Sequence, residues 1–185
     1  MVNRVKRIHP LKRLLNHSFM PHWRVKQAFS NDALRHIEQA ITVSELSHSG
    51  QVRFAIEASL SLHQLIAKLK PSHRAIQVFS DLRVWDTEQN NGVLIYLLLA
   101  DRDVEIVADR GIHQHVGTDN WEAICLQMES RFKLGDFEAG VIEGIQSITK
   151  HLEQYSPNES ASQDPAHKIN HKAKKNELSD KPVII

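Results

Sequence analysis

Residues 91–109 read NGVLIYLLLADRDVEIVAD and contain the most apolar segment of the chain. The Asn-Gly pair at its start is a strong turn signal, and the apolar run behind it shows no alternation, as in a strand covered on both faces. After the short polar interruption Asp101-Arg102, an alternating pattern resumes from Val104. The two runs therefore predict an antiparallel hairpin.

The sequence on either side of this hairpin predicts helices and a further strand. Apolar residues recur at helical spacing in four segments: 30–47, 62–82 with a break at Pro71, 118–134, and the segment that ends near Pro157. Strands are expected at 51–57, 93–100 and 103–109. Helices around these strands predict an α/β layered domain with a small mixed sheet and no obvious fourth strand.

The length of 185 residues allows one domain of ordinary size. We divide the chain into a basic amphipathic N-terminal arm (1–29), an α/β domain (30–155) and a flexible polar tail (156–185). Residues 1–31 hold seven Lys and Arg and no acid, whereas residues 32–155 hold eleven against eighteen acids. Because phosphate binding needs clustered cations, the acidic body argues against nucleic acid as a partner.

The arm has apolar residues at helical spacing, among them Ile8, Leu11, Leu15 and Phe19. One hypothesis is peripheral contact with an anionic membrane surface or an acidic partner. The alternative, which we favour on the sequence, is that the apolar side packs on the body and the charges offset its acidity.

Nothing in the sequence predicts a transmembrane segment or export. The longest apolar run has eight residues, whereas a spanning helix needs about 20. Cys125 is the only cysteine, which excludes intrachain disulfides and cysteine-built zinc sites. We therefore expect a cytoplasmic protein, with membrane association through the arm left open.

Three local patterns mimic known chemistry. Cys125 and Arg131 have the C-x5-R spacing of cysteine phosphatases, but the intervening residues contain no glycine, and a core cysteine is favoured. Residues 97–104 are similar to the apolar strand and D-x-D of haloacid dehalogenase phosphatases, although a hairpin turn with two exposed acids is favoured. His113-Gln114-His115 could hold a transition metal from an extended chain, whereas a helix start would point the rings apart.

The loop before the apolar strand is rich in oxygen ligands, the type that hard cations prefer. If carboxylates from later turns lie nearby, a cation would relieve their mutual repulsion. The hypothesis is a Ca²⁺ or Mg²⁺ site built from Asp86, Glu88, Asn91, Asp101, Asp109 and Asp119.

An ordered series of motifs lies between about Ser30 and Leu152: Asn91-Gly92-Val93-Leu94-Ile95, the run 101–106, Gly111-Ile112, Trp121 and Gly135-Asp136-Phe137-Glu138-Ala139-Gly140. Together these motifs resemble the TPM domain family, also called TPM phosphatase. The run 83–88 and the basic arm are similar to a bacterial subgroup of uncharacterised proteins.

The resemblance implies a Rossmann-like three-layer α/β/α sandwich, divalent-cation binding in some members and acid phosphatase activity proposed for some. Asn91, Gly92 and Asp101 match the family pattern, and Asp119 falls where members often have Asp. Two positions depart from the pattern: Asp109 replaces a glycine and His113 replaces a Glu.

We therefore expect a binding or accessory module that holds a divalent cation. The alternative is a metal-dependent acid phosphatase acting on small phosphomonoesters. In that case Asp86, Asn91 and Asp101 would hold the ion and Arg110 would clamp the phosphate. Both hypotheses require that these oxygen-bearing side chains meet at one rim of the fold.

Overall fold

A four-stranded mixed sheet forms the centre of the computed structural model, which describes residues 10–158 and 176–185. The strands are β1 (Gln51–Glu57), β2 (Gly92–Leu98), β3 (Asp103–Ala108) and β4 (Val183–Ile184). Their order is β3-β2-β1-β4, with β1 parallel to β2 and to β4, and β2 antiparallel to β3. The predicted hairpin and the mixed sheet are confirmed.

Eight α-helices surround the sheet within the described part of the chain. They are α1 (Pro10–Ser18), α2 (Trp23–Ala28), α3 (Asn31–Ser44), α4 (Leu62–Ile66), α5 (Pro71–Asp81), α6 (Arg110–Val116), α7 (Thr118–Leu134) and α8 (Phe137–Tyr155). The Ser30 hydroxyl caps α3 by accepting the Ala33 N–H at 3.0 Å. Gly135 ends α7 at a φ of 89°, a backbone conformation that glycine adopts without a side-chain clash.

Successive residues of β2 face two separate cores because side chains alternate along a strand. Val93, Ile95 and Leu97 join one core with α3, α7 and α8. Leu94 and Tyr96 join the other with α5. Helices therefore cover both faces of the sheet, which confirms the predicted α/β/α sandwich and explains why β2 shows no polar alternation.

The turn between β2 and β3 differs from a plain two-residue hairpin. Leu99–Asp101 form a single 3-10 turn, and Arg102 then adopts a left-handed conformation with φ of 47°. This turn pairs Leu98 with Asp103. Asp101 thus lies beyond the carboxyl end of β2.

The arm and the domain are not separate at residue 29. Val25 within α2 and Phe29 directly after that helix are each 1% exposed and belong to the core shared with α3. Their burial makes the last part of the arm an integral part of the domain. The first nine residues of the predicted arm lie outside the described residues.

The last ten residues return to the sheet, although the sequence predicted a flexible tail from residue 156 and no obvious fourth strand. Val183 and Ile184 pair with β1 as β4, and the Ile185 N–H donates to the Ile56 carbonyl at 2.9 Å. Val183 and Ile185 pack on the α5 core, which accounts for the place of this segment at the sheet edge. Residues 159–175 of the predicted tail lie outside the described residues.

Over the described ranges, no helix combines the length and the apolar character that crossing a membrane requires.

Candidate functional site

The predicted ligands lie at opposite ends of strand β2. Asn91 comes directly before the strand, and Asp101 follows it after the 3-10 turn. A strand of seven residues is about 23 Å long, because each residue rises about 3.3 Å. The expected meeting of Asn91 and Asp101 at one rim therefore does not occur.

Asp109 lies at the Asn91 end, because β3 runs back along β2. Its backbone N–H donates to the Gly92 carbonyl oxygen at 2.8 Å. Asp109, Asn91, Asp86 and Glu88 therefore share one end of the hairpin. We call residues 86–91 together with Asp109 the loop rim.

Helix α6 begins in close contact with the loop rim. A Cβ at Gly111 would lie 2.5 Å from the Asn90 carbonyl oxygen and 2.9 Å from that of Gln89. Both distances are far below van der Waals contact, so only glycine allows this approach. Asn90 itself has a left-handed backbone with φ of 51°, a conformation that asparagine tolerates better than most residues.

Asn91 is held inside the rim by local hydrogen bonds and is buried. Its backbone N–H donates to the Thr87 hydroxyl at 3.1 Å. Its side-chain amide donates to Ser49 Oγ and Gln89 Oε1, each at 3.2 Å. The Asx-rich loop is therefore an ordered turn, and its acids Asp86 and Glu88 are exposed.

Asp109 carries a buried carboxylate oxygen without a donor. Oδ1 accepts the Arg110 N–H at 2.7 Å and caps α6. Oδ2 is shielded from solvent, and within residues 10–158 and 176–185 it accepts no hydrogen bond. Buried polar atoms are almost always paired with protein, water or an ion. This oxygen is therefore the feature of the rim that a cation or a water molecule would satisfy.

Other candidate residues do not converge on the rim. Asp119 is exposed in the first turn of α7, separated from Asp109 by the length of α6, about 10 Å. Arg110 is exposed beside Asp109, far from Asp101. No group of three or more His, Cys, Asp or Glu side chains in the described chain is placed to hold a metal ion.

The residues whose spacing mimics the active sites of other enzymes do not form such sites either. His113 and His115 lie on α6 two residues apart, so their rings diverge by about 200° around the helix. His115 stacks on Tyr155 with ring centroids 5.5 Å apart, and burial lowers the pKa of His113. Cys125 is buried in the core, and Arg131 pairs with Glu143.

At the opposite end of β2, Asp101 is held by two side chains of α1. Arg13 Nε donates to Asp101 Oδ2 at 2.9 Å, and His17 Nε2 lies 3.0 Å from Asp101 Oδ1. The Asp101 side chain is only 1% exposed and that of His17 is 0% exposed. Asp103 is buried as well. The expectation of a turn with two exposed acids was wrong: both acids are buried, and α1 covers Asp101. We call Arg13, His17 and Asp101 the arm contact.

A backbone group fixes the tautomer of His17. The Leu60 N–H donates to His17 Nδ1 at 2.9 Å, so Nδ1 is the unprotonated nitrogen. Nε2 then carries the proton and donates it to Asp101. Burial on its own would raise the pKa of Asp101, but the hydrogen bond from His17 and the charge of Arg13 outweigh it and hold that pKa below its ordinary value.

A second closed cluster lies near the same end of the sheet. Glu57 Oε2, at the end of β1, accepts from Tyr96 Oη at 2.6 Å and from Arg74 Nε at 2.8 Å. Burial, followed by the negative charge of Glu57, raises the pKa of Tyr96 well above its usual range. The carboxylate is therefore occupied by partners from the same chain.

Arg13, His17, Glu57 and Arg74 are the site residues that the sequence analysis missed. Arg13 and His17 are four residues apart on one helical face, and this spacing was a usable signal. Their partner Asp101 is 84 residues or more away, and no local pattern joins two such positions.

Comparisons with known proteins agree with this architecture. The NMR structure of the BA42 protein from the psychrophilic bacterium Bizionia argentinensis superposes with a TM-score of 0.69 at 26% identity, covering 85% of this chain and 95% of that one. The N-terminal domain of a protein from P. gingivalis superposes with a TM-score of 0.55 at 15% identity, covering 81% of this chain and 94% of that one, and supports the fold alone. Among curated proteins, none matches significantly.

The sequence model of the TPM domain matches residues 25–151. The match begins at Val25, one of the arm residues that the structure buries in the core. It ends within α8, the last helix before residue 158, and so spans both layers of helices and the hairpin. The chain therefore belongs to the TPM domain family.

Proposed function

We propose that this TPM-domain protein is a binding module and that the loop rim binds a divalent cation, Ca²⁺ or Mg²⁺. The observation that carries the proposal is Asp109 Oδ2, a carboxylate oxygen buried at the rim with no donor in the described residues. A cation would satisfy this oxygen and would be favoured by the negative charge that it carries.

The remaining ligands come from the same rim. Asp86 and Glu88 are exposed, so their side chains are free to turn toward an ion, and Ca²⁺ accepts such oxygen ligands in flexible geometry. Because these acids are not held in place beforehand, ordering them costs side-chain entropy. We therefore expect weak binding, of the order of the 0.1–1 mM of extracellular calcium modules.

A phosphatase is supported less well by this geometry. That hypothesis requires Asp86, Asn91 and Asp101 on one ion, with Arg110 on the phosphate. Asp101 lies at the other end of β2 and is occupied by Arg13 and His17. The loop rim retains Asp86 and Asn91, whose side-chain oxygens can bind an ion, but without Asp101 it lacks the expected ligand set for hydrolysis.

The test is a titration of the full chain with CaCl₂ and with MgCl₂, followed by calorimetry and by amide chemical shifts. We expect shifts confined to residues 86–92 and 109–111 and their loss in Asp109→Asn. Asp119→Asn is the matched control, because Asp119 is an exposed acid outside the rim, and it should bind like the wild type. No response at about 10 mM, above the range of weak natural calcium sites, rejects the proposal.

Hydrolysis of p-nitrophenyl phosphate separates the two functions. The binding module predicts no turnover with either cation between about pH 4 and pH 8. Cation-dependent turnover that Asp109→Asn abolishes would establish the phosphatase instead.

A further inference from the structure

Helix α1 presents two different faces. Arg13 and His17, four residues apart, point inward and hold Asp101. Leu15 and Phe19 have the same spacing but are offset from that pair by two residues, or about 200° around the helix axis. They are therefore on the outer side, where Leu15 is 50% exposed and Phe19 is 75% exposed.

The outward apolar surface continues into α2. Trp23 is 59% exposed, whereas Val25 and Phe29 point into the core. The inner side chains thus attach the arm to the domain, and the three large outer ones contribute little to that attachment. We call Leu15, Phe19 and Trp23 the arm face.

Cations border the arm face. The Arg24 guanidinium lies over the Trp23 ring, 5.3 Å from its centroid, and Arg102 lines an open cleft together with Leu15 and Phe19. Neither arginine is in an ion pair with any acid of the described chain. Arg24 and Arg102 therefore make the border of the face cationic.

We propose that the arm face docks on the surface of a membrane that contains anionic lipids. Exposed aromatic and aliphatic side chains next to unpaired cations are the composition of interfacial helices. Tryptophan favours the headgroup region because its ring is apolar and its N–H remains hydrated. Arg24 and Arg102 would contact lipid phosphates while Phe19 and Trp23 enter the boundary with the acyl chains.

Charge argues against other occupants of this surface. The two segments outside the described residues are themselves cationic, with three Lys and Arg and no acid in 1–9 and four Lys against two acids in 159–175. A second copy joined by twofold symmetry would bring the same cationic surface against itself. An anionic bilayer is complementary to the arm face in both charge and polarity.

The test uses the full chain and sedimentation with vesicles of phosphatidylcholine alone or with phosphatidylglycerol added. We expect pelleting with the anionic vesicles only, reduced by high salt because surface charges are screened. Phe19→Ser with Trp23→Ser should lower the partition coefficient about tenfold or more, since the buried apolar area largely sets interfacial affinity.

The matched control removes an apolar residue of similar exposure elsewhere. Leu46→Ser and Leu134→Ser change side chains that are each 74% exposed and should leave partitioning unchanged. For the charges, Arg24→Glu with Arg102→Glu should abolish the preference for anionic vesicles, whereas Lys150→Glu on the exposed side of α8 should not. Circular dichroism of every variant verifies that the fold is intact.

Fluorescence reports the contact directly. In a Trp85→Phe background, Trp23 is the exposed tryptophan that remains, since Trp121 is only 1% exposed. Anionic vesicles should shift its emission to shorter wavelength.

Absence of pelleting, equal binding to both vesicle types, or full binding by the Phe19 and Trp23 double variant would overturn the proposal. The first of these results would leave an acidic protein as the partner.

Discussion

The two ends of strand β2 carry acidic residues in opposite situations. At the loop rim, Asp86 and Glu88 are exposed and Asp109 has a buried oxygen without a donor. At the arm contact, Asp101 is buried, and both of its oxygens are engaged by Arg13 and His17. One end is thus open to a ligand, and the other is closed by the chain itself.

A carboxylate that matches a family motif is therefore not always available to a ligand. Asp101 fits the pattern of the family better than Asp109, which replaces a glycine. Yet Asp101 stabilises the junction between arm and sheet, because a buried carboxylate with two donors is a structural ion pair. Asp109, which departs from the pattern, has a carboxylate oxygen that accepts no hydrogen bond in the described residues and can bind a ligand.

The largest expected effect comes from removing the charge at the closed end. Asp101→Asn leaves Arg13 facing a neutral amide in a buried site and should lower the free energy of unfolding by about 3 kcal/mol. Urea denaturation measures this change, and Asp119→Asn at an exposed position serves as the control. A loss as small as that of the control would show that the arm contact does not stabilise the domain.

A smaller effect is expected at the open end. Gly111→Ala places a methyl group 2.5 Å from the Asn90 carbonyl oxygen and should cost about 2 kcal/mol, because α6 must move away from the loop. Gly135→Ala is the comparison, since its added Cβ meets open space and only the left-handed backbone opposes it, at about 1 kcal/mol. Equal losses in the two variants would contradict the close contact between α6 and the loop rim.

The smallest effect is a loss at low pH of the stability that the arm contact contributes. The pKa of Asp101 in the folded state is below its ordinary value of 3.8, so the folded state binds its proton less readily than the unfolded state. The resulting stabilisation is present above pH 3.8 and is lost as the pH falls through the folded pKa.

Measuring unfolding of the wild type and of Asp101→Asn along a pH series tests this linkage. The difference between the two proteins should be constant near neutral pH and should shrink in acid below pH 3.8. A difference that stays the same down to about pH 2, below most measured carboxyl pKa values, would mean that Asp101 does not carry the stabilisation.

Local patterns were sufficient to predict the hairpin and most helices. The apolar run 93–99 and the alternation after Arg102 specify two strands. The helix ended by Gly135 has its start and stop signals within its own sequence. These elements depend on apolar spacing and capping residues that lie within a few positions of one another. A single sequence contains these local signals.

The separation of Asn91 from Asp101 was also predictable, although the sequence analysis placed both at one rim. One residue precedes a seven-residue strand and the other follows it, so their distance is fixed by strand length. The arm contact and β4 were not predictable in this way. His17 meets Asp101, and Val183 meets Ala55, across sequence separations for which amphipathic patterns carry no information.

The edge of the sheet beside β1 shows a consequence of the short strand β4. In a strand, Val52 and Ile56 direct their backbone groups to the same side. The Ile56 carbonyl is paired with Ile185, while the Val52 N–H donates to Glu45 Oε1 at 2.8 Å. The side chain of Glu45, the residue directly after α3, thus pairs a backbone group of β1 that the two residues of β4 do not reach. Unpaired strand edges are where separate molecules join into aggregates, so Glu45 and the last ten residues together protect the β1 side of the sheet against pairing with another molecule.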